Sequence, residues 1–475
     1  MAQTTFAAET GSIWQGALRP VTIGSILAVT IVAFQGLALA TVAPILSDDL
    51  GGRDLYGWIF SAFLLPQIVG TVMGGLEVDR RSPAIVFGGF LVVFGLGCVL
   101  AGAAPSIEWF FAGRALQGFG AGGLFAAVYA VITLAYHDTM RPAMMAATSS
   151  AWIVPSLIGP AIAGFIAEQY SWRWVFIALI PVLLVVAPLT LPAYHRMHRT
   201  RDMSGVGTSQ HRRLTLSVVL SLSTGLFLVG LELNPWFLAA AVTLVGMVGL
   251  VAMLRRLMPA GIFTARPMLA GAITIRSLCF GAFIIAETYM VFALKEFGGV
   301  SATTAGIVLT AGSLSWTGGS LVQARWEGRT GPQGRPMRVL AGVCCLLVGV
   351  GSIFLTVLVT QDIWLIVAIL GWIVAGMGMG LSYPTSSTIA LANAQKGSEG
   401  QVSSSVLLGD LFASSVSVGL GGVLLALGLN AGWSEPAATT LAMSLGVVLL
   451  ALTMWATLRL VRAAPRLRGA DTPER

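Results

Sequence analysis

The stretch Ala84-Ile-Val-Phe-Gly-Gly-Phe-Leu-Val-Val-Phe-Gly-Leu-Gly-Cys98-Val-Leu-Ala-Gly-Ala-Ala104 contains no charged residue. As a helix it is about 30 Å long, which is the thickness of a bilayer's hydrocarbon core. Similar runs recur near 21–46, 57–78, 108–136, 142–168, 172–192, 214–232, 235–256, 268–294, 302–324, 337–359, 363–392, 400–428 and 437–462. The pair 214–232 and 235–256 is split only by Asn234-Pro235, and a residue before proline disfavours helix, so it reads as a tight hairpin. Charged residues make up 10% of the 475, against about 25% in soluble domains. The chain is therefore expected to be an all-α membrane protein of about fourteen transmembrane helices whose outer surface faces lipid. The 57 glycines suit close packing of membrane helices.

The net charge of +7 comes almost wholly from arginine. With both termini on one side, 22 of the 27 basic residues fall on that side's segments. The opposite connectors hold only Arg53, Arg173 and Lys295, and Arg114 and Arg276 lie inside spans. Basic residues mark the cytoplasmic side, so both termini are expected in the cytoplasm. The same pattern reads the arginines as topology determinants rather than nucleic-acid contacts. Residues 1–20 lack the order of a signal peptide and read as a retained cytoplasmic segment. Cys98, Cys279, Cys344 and Cys345 all lie in apolar spans, and the four histidines sit among basic residues, so neither a disulfide, a metal site nor a cofactor is expected.

The most basic connector, 193–213, follows the sixth span. Gly118-Phe-Gly120-Ala-Gly122 in the fourth span has a counterpart in Gly376-Met-Gly378-Met-Gly380, and Gly75 pairs with Gly319. Two pseudo-symmetric six-helix bundles are predicted, 21–192 and 268–462, with an inserted hairpin at 214–256, an amphipathic linker at 257–267 and a tail at 463–475. In such repeats substrate sits between the halves near mid-membrane.

The loop Gly75-Leu-Glu77-Val-Asp79-Arg80-Arg81 resembles the signature loop of the major facilitator superfamily. The resemblance implies a latch in which Gly75 permits close approach, Asp79 caps a helix and Arg80 bridges to an acid such as Asp138. An ordinary topogenic loop is the alternative, and Ser82-Pro83-Ala84 departs from the family's closing residues. Arg114-Ala-Leu-Gln117-Gly118 resembles the family's fourth-helix motif, whose arginine is linked to proton coupling; Arg114 could instead snorkel to the outer interface. Gly118–Gly123 also fits G-x-G-x-x-G, but no strand precedes it, which excludes a dinucleotide site. Pro155-Ser-Leu-Ile-Gly159-Pro160-Ala-Ile-Ala-Gly164 looks like the antiporter motif, in which proline frees a carbonyl and small residues allow sliding. With Ser171-Trp172-Arg173-Trp174 and the inserted hairpin, the chain resembles the fourteen-helix drug:proton antiporter branch over nearly its whole length. It departs from that branch in the first span, where Gln35 stands in place of an acidic residue.

Intramembrane ionisable groups are functional candidates by default. Glu287 and Asp410 are the carboxylates expected to carry a proton, beside Arg114; Glu232 lies at an outer end. Glu287 and Arg276 are separated by about 16 Å along one helix, too far for direct pairing. Gln35, Gln117, Trp152, Phe283, Tyr289, Trp316, Trp372 and Tyr383 are candidate cavity residues for a lipophilic or cationic substrate. The resemblance implies a monomeric, proton-coupled multidrug exporter of the bacterial inner membrane. A carrier of the same fold for a lipid or metabolite, with or without coupling, is the second reading. A membrane enzyme or receptor is disfavoured, because the connectors carry no cluster of catalytic side chains.

Overall fold

A computed structural model of the chain describes residues 12–16, 18–137, 140–195, 208–233, 235–266, 268–395 and 399–470. Sixteen α-helices follow one another in these residues: α1 Leu18–Asp49, α2 Tyr56–Arg80, α3 Pro83–Gly102, α4 Ile107–Ala135, α5 Arg141–Ser150, α6 Ile153–Gln169, α7 Arg173–Ile177, α8 Leu179–His195, α9 Thr208–Gly230, α10 Trp236–Leu257, α11 Leu269–Glu296, α12 Ala302–Thr330, α13 Arg335–Thr360, α14 Leu365–Ala392, α15 Glu399–Asn430 and α16 Glu435–Ala470. Thirteen spans among the described residues are long and apolar enough to cross a membrane, α7 and α8 together forming one of them. The ten-residue α5 followed by the seventeen-residue α6 makes a further crossing. The chain is a multi-pass, all-helical membrane protein.

The fifth and sixth crossings differ from the unbroken helices expected over 142–168 and 172–192, and proline explains both breaks. Pro155 has no N–H for the carbonyl of Ala151, so the helix opens between α5 and α6. Thr30 Oγ1 of α1 donates to that carbonyl at 3.2 Å. In the same way Pro181 leaves the carbonyl of Ile177 without its helical donor, where α7 gives way to α8.

The helices fall into two compact units: 1–52 with 62–221, and 53–61 with 222–475. In the first, Phe87, Phe94, Val128, Val186 and Tyr194 are fully buried in a core built from α3, α4 and α8. Tyr194 donates or accepts a 2.7 Å hydrogen bond with Ser25 of α1, and Tyr136 does the same with Thr22. In the second, α11 is buried along most of its length and packs against α14, α15 and α16.

Glycine lets helix backbones touch, and it does so identically in both units. A Cβ on Gly118 would lie 1.9 Å from the Phe63 carbonyl oxygen, and one on Gly122 would lie 2.3 Å from that of Gln67, both on α2. Gly120 faces α3 instead, at Phe94. Gly376 and Gly380 meet the carbonyl oxygens of Gly312 and Trp316 on α12, while Gly378 faces α13 at Gly342 and Leu346. The two triplets thus make equivalent crossings. The second match expected from sequence is corrected by the same geometry. Gly319 meets the Met377 carbonyl as Gly70 meets that of Phe119, so Gly70 is its counterpart. Gly75 has no atom of the described residues within 4 Å of where a methyl group would stand, and supports no close approach among them.

Candidate functional site

In the first unit α4 carries Arg114 seven residues beyond its start, with the side chain 1% exposed. Arginine deep in a span needs partners. Nη1 donates to Gln117 Oε1 at 2.8 Å, and Gln117 Nε2 donates to Cys98 Sγ at 3.1 Å. The guanidinium also lies 4.3 Å from the centre of the Phe63 ring. Arg114 is therefore held within the helix packing and does not snorkel. Gln117, expected to line a cavity, serves as its acceptor. Gln35 on α1 is fully buried, and neither atom of its amide has a hydrogen-bond partner among the described residues. Leaving such a group dry costs about 1–3 kcal/mol per unsatisfied atom.

Trp152 sits at the break between α5 and α6, 44% exposed, its ring parallel to that of Phe125 with centres 6.4 Å apart. Gly159 of α6 packs on Phe34 of α1, and Pro155, Pro160 and Gly164 are buried. Arg80 closes α2, half-buried, and Arg81 pairs with Glu77 at 2.8 Å. Asp138 and the side chain of Asp79 lie outside the described residues. A tie that was not expected from sequence joins α1 to α7: Asp49 accepts from Trp172 Nε1 at 2.9 Å and from Arg173 Nη1 at 2.8 Å. Its signal in the sequence is the pair of opposite charges at two outer helix ends.

The second unit holds a larger constellation. Arg276 of α11 donates to Asp410 of α15 through Nε at 3.0 Å and Nη2 at 2.7 Å. Tyr383 of α14 donates to the same carboxylate at 2.8 Å. Ser387, one turn along α14, accepts from Arg276, whose guanidinium lies 3.5 Å from the Tyr383 ring centre. Asp410 is buried and Arg276 part-buried, with side chains 3% and 13% exposed. Aromatic rings continue from there: Tyr383 meets Trp316 at 5.4 Å, Trp316 meets Phe283 at 5.3 Å, and Phe283 stacks on Trp372 at 4.3 Å. Four expected cavity residues and one expected proton site are thus one contiguous cluster. Arg276 and Ser387 join it without having been expected there. Arg276 and Asp410 are both charges inside spans, which is a signal for their pairing, but spacing along α11 alone does not reveal it.

Glu287 stands apart from this cluster. It is 8% exposed, eleven residues beyond Arg276 on α11, and has no hydrogen-bond or ion-pair partner among the described residues. Tyr289 is remote from the aromatic cluster too. Its hydroxyl donates to the Val418 carbonyl at 3.0 Å and its ring fills the space over Gly421. Glu232 is half-buried in the connector after α9, where burial raises its carboxyl above the usual range and a hydrogen bond from Trp58 opposes the shift. The two units differ at one equivalent place. Four residues before each glycine triplet stands Arg114 in one and Trp372 in the other.

A family model, the Major Facilitator Superfamily, matches residues 25–418. The chain belongs to the major facilitator superfamily. It is similar to a probable multidrug-efflux transporter of Mycobacterium tuberculosis, 26% identical over 89% of this chain and 91% of that one. It is also similar to the multidrug transporter protein MdtP of Bacillus subtilis, 25% identical over 80% of this chain and 70% of that one. Among solved structures, the POT-family transporter PepTSo superposes with a TM-score of 0.67 at 13% identity, covering 95% of this chain and 99% of that chain. A D-xylose–proton symporter gives 0.64 at 14% identity, covering 93% and 98%. These two structures share the fold. As a superfamily member the chain is a membrane carrier, not an enzyme.

Proposed function

We propose that this carrier exports lipophilic, cationic small molecules in exchange for protons by alternating access. The observation that carries the proposal is the cluster in the second unit. Trp316, Phe283, Trp372 and Tyr383 offer aromatic surface to a lipophilic body, and the carboxylates of Asp410 and Glu287 suit a positive charge. The two carboxylates have different tasks. Arg276 and Tyr383 hold Asp410, whereas Glu287 is buried with no partner among the described residues and is the group free to take up and release a proton. The multidrug-efflux relatives support export as the direction of transport.

The moving parts in this reading are six-helix halves at 21–192 and 268–462, with 214–256 as an insertion. Asp79, Arg80 and Asp138 serve as a latch, and Pro155, Gly159, Pro160 and Gly164 let α6 shift on α1. Arg114 tunes coupling through Gln117. The excess of 22 basic residues on one side supports a reading with both termini in the cytoplasm and the chain in a bacterial inner membrane. The carrier works as a monomer. Gln35, an amide that cannot carry a proton, favours a second reading: an uncoupled carrier of a lipid or metabolite.

Purified protein in liposomes separates the two readings. A lipophilic cationic dye is offered with and without an imposed proton gradient. Gradient-driven accumulation that collapses on adding a protonophore supports exchange. Equal rates with and without the gradient would reject coupling.

A further inference from the structure

At one end of the second unit α10 stops, α11 starts and the apolar part of α16 finishes. Arg255 and Arg256 close α10, Arg266 precedes α11, and Arg459 and Arg462 end the apolar stretch of α16. Neither 233–286 nor 436–470 contains an aspartate or glutamate. None of the five arginines has an ion-pair partner among the described residues.

A fixed turn joins them. The short helical turn Ile262–Thr264 is anchored where Thr274 Oγ1 donates to the Ile262 carbonyl at 2.9 Å, and the Arg266 amide donates to the Gly261 carbonyl at 3.0 Å. Gly261, Ala265 and Met268 adopt φ of 90°, 43° and 72°, a region that disfavours side chains at the last two positions. On this turn Phe263 is 52% exposed, with the Arg255 guanidinium 5.9 Å from its ring centre. From the other side Arg459 donates to the Thr264 carbonyl at 2.5 Å and lies 5.0 Å from the ring centre of Trp455, which is 47% exposed.

Topology signals account for arginines at this end of the bundle. They do not account for convergence of three segments on one anchored turn flanked by two outward-facing rings. Guanidinium groups bind phosphate oxygens in pairs. Aromatic rings at a membrane interface sit at headgroup depth. We infer that this patch binds the headgroup phosphate of an anionic membrane lipid, with Phe263 and Trp455 set against the glycerol and upper acyl region. A soluble phosphate would use the arginines but not the rings. The site does not depend on the transport reading.

The test uses the purified full-length chain in detergent, titrated with phosphatidylglycerol, phosphatidylethanolamine or inorganic phosphate, with bound lipid read by native mass spectrometry and stability by thermal shift. Phosphatidylglycerol is expected to bind and stabilise, and the other two to do neither. Each surface arginine contributes about fivefold to the attraction for anionic lipid. The variant Arg255→Gln/Arg256→Gln/Arg266→Gln should therefore bind about a hundredfold more weakly, the corresponding lysine variant should keep most of the affinity, and Arg212→Gln/Arg213→Gln should leave it unchanged. If the glutamine variant does not fold, wild type at about 1 M salt, where the screening length is about 3 Å, must lose the preference, and Phe263→Ala must weaken binding. Equal binding of both lipids, retention by the glutamine variant, retention in high salt or inorganic phosphate matching phosphatidylglycerol would each overturn the assignment.

Discussion

Asp410→Asn removes the carboxylate from a guanidinium that is mostly withdrawn from solvent. Arg276 gives Asp410 two of its hydrogen bonds, with Asp410 buried and Arg276 part-buried. Breaking such a pair from one side costs about 3–5 kcal/mol, because the remaining charge stays out of water. Among the described contacts, Ser387 and the Tyr383 ring face survive the substitution, the latter worth up to about 2 kcal/mol to a desolvated cation. We therefore predict a net loss of about 2–3 kcal/mol for Asp410→Asn. Arg276→Gln should cost less, because a stranded carboxylate can take up a proton whereas a guanidinium cannot give one up. The double variant Arg276→Gln/Asp410→Asn leaves two neutral amides and should lie closer to wild type than Asp410→Asn alone. The assay is denaturant unfolding of the purified protein in mixed micelles, followed by tryptophan fluorescence. The quantity read is the coupling free energy of the cycle, expected at about 2 kcal/mol. Additive single losses, or single losses below about 0.5 kcal/mol each, would show that the pair does not hold α11, α14 and α15 together.

Three further outcomes follow from glycine packing, from the proline break before α6 and from Glu232. Gly118→Ala places a methyl group 1.9 Å from the Phe63 carbonyl and should lower thermal stability by about 1–3 kcal/mol or more, whereas Gly75→Ala meets nothing and should be neutral or gain up to about 1 kcal/mol in helix propensity. Pro155→Ala restores a donor for the Ala151 carbonyl, so Thr30→Ala should cost measurably less stability in that background than in wild type. Glu232 has a carboxyl raised by burial, so its contribution is fully present below the ordinary glutamate range and is lost as pH rises through the folded value. Glu232→Gln should therefore stabilise the protein at pH 8 and make no difference at pH 4, as read from melting temperature.

Much of the fold is written locally. A run such as 84–104 is set by the absence of charge, and that is visible residue by residue. The equivalence of Gly118, Gly120 and Gly122 with Gly376, Gly378 and Gly380 was legible for the same reason, since a two-residue spacing survives in sequence. The match of Gly75 with Gly319 failed because both precede a basic loop, and that shared feature does not report which helix face a glycine occupies. Gly70 is the residue on the crossing face. The site was legible in its residue types but not in its pairings. Arg276 and Asp410 are 134 positions apart and meet only because α11 packs on α15. Trp316, Phe283, Trp372 and Tyr383 come from three helices whose rotation no local pattern fixes. Tyr289, only six residues from Phe283, points its ring at α15 instead.

In the proposed cycle Glu287 carries the proton while Asp410 remains paired. Its most direct test compares two fluxes of the same substrate in proteoliposomes containing Glu287→Gln. One is exchange of labelled for unlabelled substrate at equal pH on both sides, and the other is accumulation driven by a proton gradient. The account predicts that exchange continues near the wild-type rate while gradient-driven accumulation falls to background. Gradient-driven accumulation at the wild-type level in this variant would contradict it.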